Sequence, residues 1–341
     1  MIRRLRLRNF KGVREGEVEL APLTIMLGGN NSGKTTVLEA LFLAPNPFRT
    51  VPYATAGRLA AGALEVLHRT LQSTGYGFLF HNYTAEDASI QCDDYLLRLI
   101  KEDQYIYVTT NKNIGSSHRT RRGEEIQVIG ALSLSNPSVT DLMLLPYREA
   151  IIENSLLLSS KLAWMSYEYL KDNWPLITNA RISEKVAKDV SQLVYDKYVD
   201  ITIEPFFGGT LSINALLEDG RRIRLGDTGA GVQSYLIAKM LYELEKPKIL
   251  LWDDIEAHFN PRMLSSVAGW FSDLVNENIQ VIVSTHSLEA ARTIAAAEEK
   301  AQICLLSLED NVLKVKRLTL KEVDDMLDAG IDIRVAEPLL L

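Results

Sequence analysis

The segment Gly28-Gly29-Asn30-Asn31-Ser32-Gly33-Lys34-Thr35 constrains the fold of this chain more than any other. It matches the pattern GxxxxGK[S/T], and both flanks have the chemistry such a loop needs. Pro22-Leu23-Thr24-Ile25-Met26-Leu27 is a short apolar run ending at the first glycine, as a buried parallel strand should. Thr35-Thr36-Val37-Leu38-Glu39-Ala40-Leu41-Phe42-Leu43 then reads as a helix, stopped by Pro45 and Pro47. Strand, loop and helix in this order turn successive backbone N–H groups toward one point, beside the positive end of a helix dipole. The expectation is a bound nucleoside triphosphate touched by Gly28, Asn30, Asn31, Ser32, Gly33, Lys34, Thr35 and Thr36. Lys34 would place a point charge on the β- and γ-phosphates, and the Thr35 hydroxyl would ligate Mg²⁺.

A chain of 341 residues with 47% hydrophobic and 24% charged residues can bury a substantial core as one large domain or two lobes. It has no apolar run of membrane-spanning length, and Met1-Ile2-Arg3-Arg4-Leu5-Arg6 lacks a signal-peptide core, so a cytoplasmic protein without membrane contact is expected. Cys92 and Cys304 stand alone, without a CxxC or Cys/His cluster, which excludes an encoded disulfide scaffold or zinc site and leaves two inert thiols. His68, His81 and His118 have no second ligand at metal spacing and read as surface or loop histidines. Trp164, Trp174, Trp252 and Trp270 are expected in cores or between helices. The net charge of -7 argues against a surface coated for nucleic acid, but three basic clusters could each form a local stripe: Arg3, Arg4, Arg6 and Arg8; Arg119, Arg121 and Arg122; Arg221, Arg222 and Arg224.

Residues 2–8 read as an outer strand, with Glu17-Val18-Glu19-Leu20 as its partner across a turn at Lys11-Gly12. From Thr50 to Pro146 short β segments are expected, among them Tyr76-Gly77-Phe78-Leu79-Phe80, Tyr95 to Ile100, Tyr105 to Val108 and Ile126 to Ile129, around a mobile loop at Asn113 to Gly123. Arg148 to Tyr198 reads as helical, broken at Trp174-Pro175. A hairpin follows across Glu218-Asp219-Gly220. Beyond it, helix and strand alternate over Gln233 to Glu245, Lys248 to Trp252, Pro261 to Glu277, Gln280 to Ser284, Leu288 to Ala297 and Gln302 to Leu306, which implies a parallel sheet covered by helices.

Ile249-Leu250-Leu251-Trp252-Asp253-Asp254 is an apolar strand ending in two carboxylates, the form of a Walker B segment. Asp253 would hold the Mg²⁺ shell, and Asp254 could orient or deprotonate the attacking water. Val281 to Ser287 is a further apolar strand whose polar tip carries His286, which could reach a γ-phosphate or hold the water.

Taken together, Asn9-Phe10-Lys11, Gly28 to Thr35, Gly226-Asp227-Thr228-Gly229-Ala230-Gly231-Val232-Gln233, Asp253-Asp254-Ile255-Glu256-Ala257-His258-Phe259-Asn260-Pro261 and Ser284-Thr285-His286-Ser287 resemble an ABC-type ATPase head. More narrowly, the set is similar to the RecF, SMC and OLD-like DNA-linked ATPases, and to standalone AAA-labelled ATPases close to OLD proteins. The likeness covers the first 45 or so residues and most of Ile201 to Leu318. It implies an α/β P-loop NTPase fold: one two-lobed head over 1–341, with core lobes from 1–45 and 201–318. Residues 46–200 would be a β-rich and then helical insertion, and 319–341 a C-terminal helix and tail.

The resemblance also implies an ATP-dependent homodimer in which the loop of one subunit faces the signature segment, Gly226 to Gln233, of the other. Thr228, Gly229 and Gly231 would then contact the nucleotide in trans, and Glu256-Ala257-His258 would be the D-loop. Asp254 stands where the family usually has a catalytic Glu, Thr228 and Gly229 both fit the signature Ser position, and Gln72, Gln91 and Gln127 are the Q-loop candidates. DNA is the partner class the family suggests, in DNA maintenance or defence against mobile DNA. The residues after His286, about fifty, are too few for a Toprim nuclease domain, so a nuclease or other effector is expected as a separate partner. The alternative is a slow or non-hydrolysing nucleotide switch serving as an interaction platform. A transporter subunit fits the Asn-Phe-Lys and Glu-Ala-His segments less well.

Overall fold

In the N-terminal hairpin, apolar and charged residues alternate with the period of a strand, and that period decides which side is buried. Leu5, Leu7 and Phe10 of β1 (Arg4–Phe10) point into the core while Arg4 and Arg6 face solvent, and β2 (Val13–Glu19) returns antiparallel to it. The structure is a computed structural model that describes residues 1–54, 59–120, 123–135, 146–335 and 340–341. β3 (Leu23–Leu27) is buried along its whole length and leads through the glycine-rich loop into α1 (Lys34–Leu43). After α2 (Ala60–His68) comes an antiparallel series, β4 (Asp87–Cys92), β5 (Tyr95–Glu102), β6 (Tyr105–Thr110), β7 (Ser116–Arg119) and β8 (Glu125–Ser133).

The chain then enters β9 (Ser155–Leu158) and four short helices, α3 (Ser160–Met165), α4 (Tyr167–Asp172), α5 (Trp174–Asn179) and α6 (Ile182–Ser191). A small sheet follows, β10 (Tyr198–Pro205), β11 (Leu211–Leu217) and β12 (Arg222–Arg224), and then α7 (Ala230–Glu245). The last part alternates: β13 (Ile249–Trp252), α8 (Pro261–Asn276), β14 (Gln280–Thr285), α9 (Leu288–Ala296), β15 (Ala301–Glu309), β16 (Val312–Leu318) and α10 (Leu320–Asp328). Helix starts carry their own signals: Asn260 and Ser287 cap α8 and α9, and Thr319 with Glu322 forms a capping box on α10.

Among the described residues thirteen strands form one sheet, in the order β7-β8-β6-β5-β4-β1-β2-β16-β15-β3-β14-β13-β9. Strands β15, β3, β14, β13 and β9 run parallel to one another, whereas β1, β2 and β4 to β8 are antiparallel. The halves join where β16 pairs with β2 over only two residues, Val312 with Glu15 and Leu313 with Gly16. Parallel strands need both faces covered. The described residues accordingly show Ile249–Trp252 and Gln280–Thr285 wholly buried.

Several expectations need correction. The Tyr76 to Phe80 segment is a short 3₁₀ turn at Gly77–Leu79, not a strand, and Ala60–His68 is a helix inside the stretch expected to be β. Part of the expected mobile loop is strand β7, held against β8 from Ser116–Val128 to Arg119–Glu125. Arg148 to Tyr198 is not helical throughout, because Ser155–Leu158 inserts as the outermost parallel strand beside β13. Trp252 and Trp270 are core residues, but Trp164 is 72% exposed and stands edge-on to Tyr167. Arg121 and Arg122 lie outside the described residues.

Candidate nucleotide site

The parallel order puts the C-terminal ends of β3, β14, β13 and β9 side by side, and loops after such ends line the crevice where ligands bind in sheets of this kind. From β3 the chain passes through the glycine-rich loop, and Gly33 takes φ 91°, a left-handed turn that lets α1 begin at Lys34. Val37 N–H donates to the Gly33 carbonyl at 3.0 Å, so the first turn of α1 leaves its leading N–H groups facing the loop. The Lys34 ammonium is drawn into the loop, donating to the carbonyls of Gly28 at 2.9 Å and Gly29 at 2.8 Å and to Ser32 Oγ at 3.3 Å. Asn30 and Asn31 are exposed at the rim, and Thr36 is half-buried.

Across the crevice, the Thr35 hydroxyl donates to Asp253 Oδ2 at 3.0 Å. Ser284, at the end of β14, donates its hydroxyl to Asp253 Oδ1 and accepts the Asp254 N–H at 2.9 Å, so one side chain fixes the turn that aims both carboxylates. Burial pushes the Asp253 carboxyl above its ordinary value, and the neighbouring Asp254 adds to this. Thr35 and Asp253 together offer hard oxygen donors, the set that suits Mg²⁺, and a cation would offset the cost of a buried carboxylate. These residues fit the ion the sequence implies.

His286 joins the two sides. The Lys34 ammonium approaches His286 Nδ1 at 3.4 Å, and His286 Nε2 lies 3.6 Å from Asp254 Oδ1. The His286 backbone N–H donates to Glu256 Oε1 at 2.6 Å, which ties the tip of β14 to the segment after Asp254. Lys34, Thr35, Asp253, Asp254 and His286 are thus one cluster built from three neighbouring parallel strands. It can bind a polyphosphate, hold a divalent ion through oxygen, and present a carboxylate and an imidazole where a water would attack.

Thr228, Gly229 and Gly231 are not part of that cluster. They lie at the start of α7: the Thr228 hydroxyl donates to the Leu225 carbonyl at 2.7 Å, and Gln233 Nε2 donates to the Thr228 carbonyl at 2.8 Å. Gly229 is exposed, whereas Gly231 is buried so closely against the segment after Asp254 that an added Cβ would come within 2.5 Å of the His258 carbonyl oxygen. Gly226 and Asp227 border a cavity of about 410 Å³ with Trp164 and Tyr167, on the side of the small sheet.

The three glutamine candidates are also elsewhere. Gln91 and Gln127 lie on β4 and β8 of the antiparallel half, and Gln72 is in an exposed turn after α2. The strand end beside Asp254 is that of β9, where Asp253 N–H donates to the Leu158 carbonyl at 2.9 Å and Ser159 and Ser160 follow. Sequence reasoning missed this strand, the clamp by Ser284 and the link through Glu256. The offset of Ser284 from His286 at an apolar strand's tip is the one signal that could have pointed to the clamp.

Basic clusters in the described residues are largely matched by acids. Arg4 and Arg6 pair with Glu17, Arg221 with Asp219, Arg222 with Glu204 and Arg224 with Asp227. His68 is no isolated surface group, since its Nε2 lies 2.7 Å from Oε1 of the buried Glu39. Both thiols are buried and pushed up to about 12, as inert cysteines are. No described helix is long and apolar enough to cross a membrane.

This fold and loop are those of an ABC-type ATPase head, a P-loop NTPase fold. The chain belongs to the family described as "AAA domain, putative AbiEii toxin, Type IV TA system", whose model matches residues 23–291. Among solved structures it is similar to an Smc head bound to the C-terminal winged-helix domain of ScpA, with 17% identity and a TM-score of 0.51 over 95% of this chain and 99% of that one. It is likewise similar to the Smc head with an extended coiled coil, bound to the C-terminal domain of ScpA, from Pyrococcus furiosus, with 15% identity and a TM-score of 0.50 over 96% and 99%. No curated protein matches the sequence.

Proposed function

We propose that this chain binds Mg²⁺-ATP at Gly28–Thr35, hydrolyses it, and pairs with a second copy while ATP is bound. The observation that carries the reading is the convergence of Lys34, Thr35, Asp253, Asp254 and His286 on one crevice. Lys34 and the N–H groups opening α1 neutralise the β- and γ-phosphates. Mg²⁺, held through Thr35 and Asp253, would withdraw charge from the phosphate oxygens. Asp254 takes the proton of the attacking water, and His286, set by its N–H bond to Glu256, contacts the γ-phosphate side.

Thr228 and Gly229 stand apart from this crevice in their own chain, so they reach a nucleotide only across a dimer. DNA maintenance or defence against mobile DNA is the biological setting we infer, with a separate effector protein. The family's description as part of a toxin–antitoxin system supports the defence side.

Titration calorimetry of ATP with the parent chain and Lys34→Ala, beside phosphate release by the parent and Asp254→Asn, tests the reading. Lys34→Ala should lose affinity on the order of a hundredfold or more. Asp254→Asn should bind ATP and hardly turn it over. Parental affinity in the first variant would remove the site. A parent chain that binds ATP without releasing phosphate would leave the nucleotide switch.

A further inference from the structure

Strand β13 ends at Trp252, beside Val283 of β14, and the next three backbone N–H groups are taken up by different neighbours. Asp253 N–H still pairs with β9, donating to the Leu158 carbonyl at 2.9 Å. Asp254 N–H turns the other way, to Ser284 Oγ at 2.9 Å, and Ile255 N–H follows to the Ser284 carbonyl at 3.0 Å. Ser284 is wholly buried, and the same hydroxyl donates to Asp253 Oδ1. Between these bonds Asp254 takes φ 50°, in the left-handed region. Successive side chains of a strand point to opposite faces of its sheet, so a β13 that simply ran on would turn the two carboxylates away from each other. The left-handed residue breaks that alternation and brings Asp254 Oδ1 to 3.6 Å from His286 Nε2, while Asp253 stays with Thr35. Aspartate enters this region more readily than most side chains, but it is held there only where its surroundings over-determine it. Removing the Ser284 hydroxyl leaves the Asp254 N–H without its acceptor, which favours relaxation of the turn.

Resting on the ATPase reading, we propose that Ser284 is the positioning residue for the base: its hydroxyl holds Asp254 in the left-handed turn from which the carboxylate reaches the attacking water. Ser284 acts through Asp254 and needs no contact with the water or the phosphate. It lies two residues before His286, so the group that aims the base and the imidazole on the γ-phosphate side belong to one strand tip. The bond from the His286 N–H to Glu256 Oε1 ties that tip to the segment after Asp254 a second time. A shift of the β14 tip therefore carries Asp254 and His286 together, which keeps the base in register with the phosphate it serves.

The test compares phosphate release and ATP affinity in Ser284→Ala, Asp254→Asn and the double variant. Ser284→Ala should lower kcat by about tenfold to a hundredfold, the cost of a base displaced by roughly 1 Å, with ATP affinity within about twofold of the parent. Retained affinity also shows that the variant folds. Because the hydroxyl acts through the carboxylate, Ser284→Ala should lower the residual kcat of Asp254→Asn by less than about twofold. A loss on that background as large as in the parent gives Ser284 another route of action and overturns the inference. ATP affinity falling together with kcat in Ser284→Ala makes the serine a support of the whole crevice and overturns it too. Parental kcat in Ser284→Ala, in a parent whose turnover depends on Lys34, overturns this inference alone. A parent without Lys34-dependent turnover overturns the ATPase reading and this inference with it.

Discussion

Asp253 sits in surroundings that oppose its own charge. Its carboxylate is held by Thr35 and Ser284, yet burial raises its pKa, so ionisation there works against folding until a cation arrives. Asp253→Asn should therefore leave the melting temperature of the nucleotide-free chain unchanged or higher, while abolishing the extra stabilisation by Mg²⁺ with ATP. Thermal denaturation with and without Mg²⁺-ATP checks this, and a variant that still gains the parental increment would exclude Asp253 from the metal shell. Cluster residues were legible in sequence because each follows an apolar run whose length fixes where the strand ends. Ser284 and Glu256 were not, since their roles depend on which strand ends become neighbours.

Helix α1 is fixed to the rest of the head by Glu39. This carboxylate is 1% exposed and meets Lys11, from the turn after β1, and His68, the last residue of α2. Burial alone would push its pKa up, but Lys11 and His68 hold it below the ordinary value of 4.5. A lowered carboxyl contributes stability that is present above the unfolded value and is lost as pH falls through the folded one. The contribution is thus intact at neutral pH and disappears only in acid below 4.5. Glu39→Gln leaves the largely buried Lys11 without its acid and should destabilise the chain by about 3 kcal/mol, read from denaturant unfolding. No change at pH 7 would show that the cluster is not coupled to folding.

At the same scale, the long alternating elements from α7 to β15 were readable from periodicity. β9 was not, because Ser155-Leu156-Leu157-Leu158 is only four residues long and runs into a helical pattern. Its identity as a strand is set by pairing with β13. Ala60–His68 was misread because its apolar residues are nearly continuous, so neither period stands out.

The loop at Gly28–Thr35 and the exposed start of α7 at Gly229 do not meet within one chain, and in the function proposed above they complete one phosphate site only across a dimer. Gly229→Arg should leave ATP binding intact, since it lies outside the Lys34 cluster, and should suppress both dimer formation and turnover. Equal turnover in that variant would place hydrolysis within a single chain. Gly231 is a poorer probe, because its contact with the His258 carbonyl makes any side chain there a folding defect first. In the proposed function ATP closes two chains around the nucleotide and hydrolysis reopens them. Light scattering of Asp254→Asn with saturating Mg²⁺-ATP tests it most directly. The expected result is a mass of two chains with nucleotide and one chain without it. A mass of one chain in saturating Mg²⁺-ATP would contradict it.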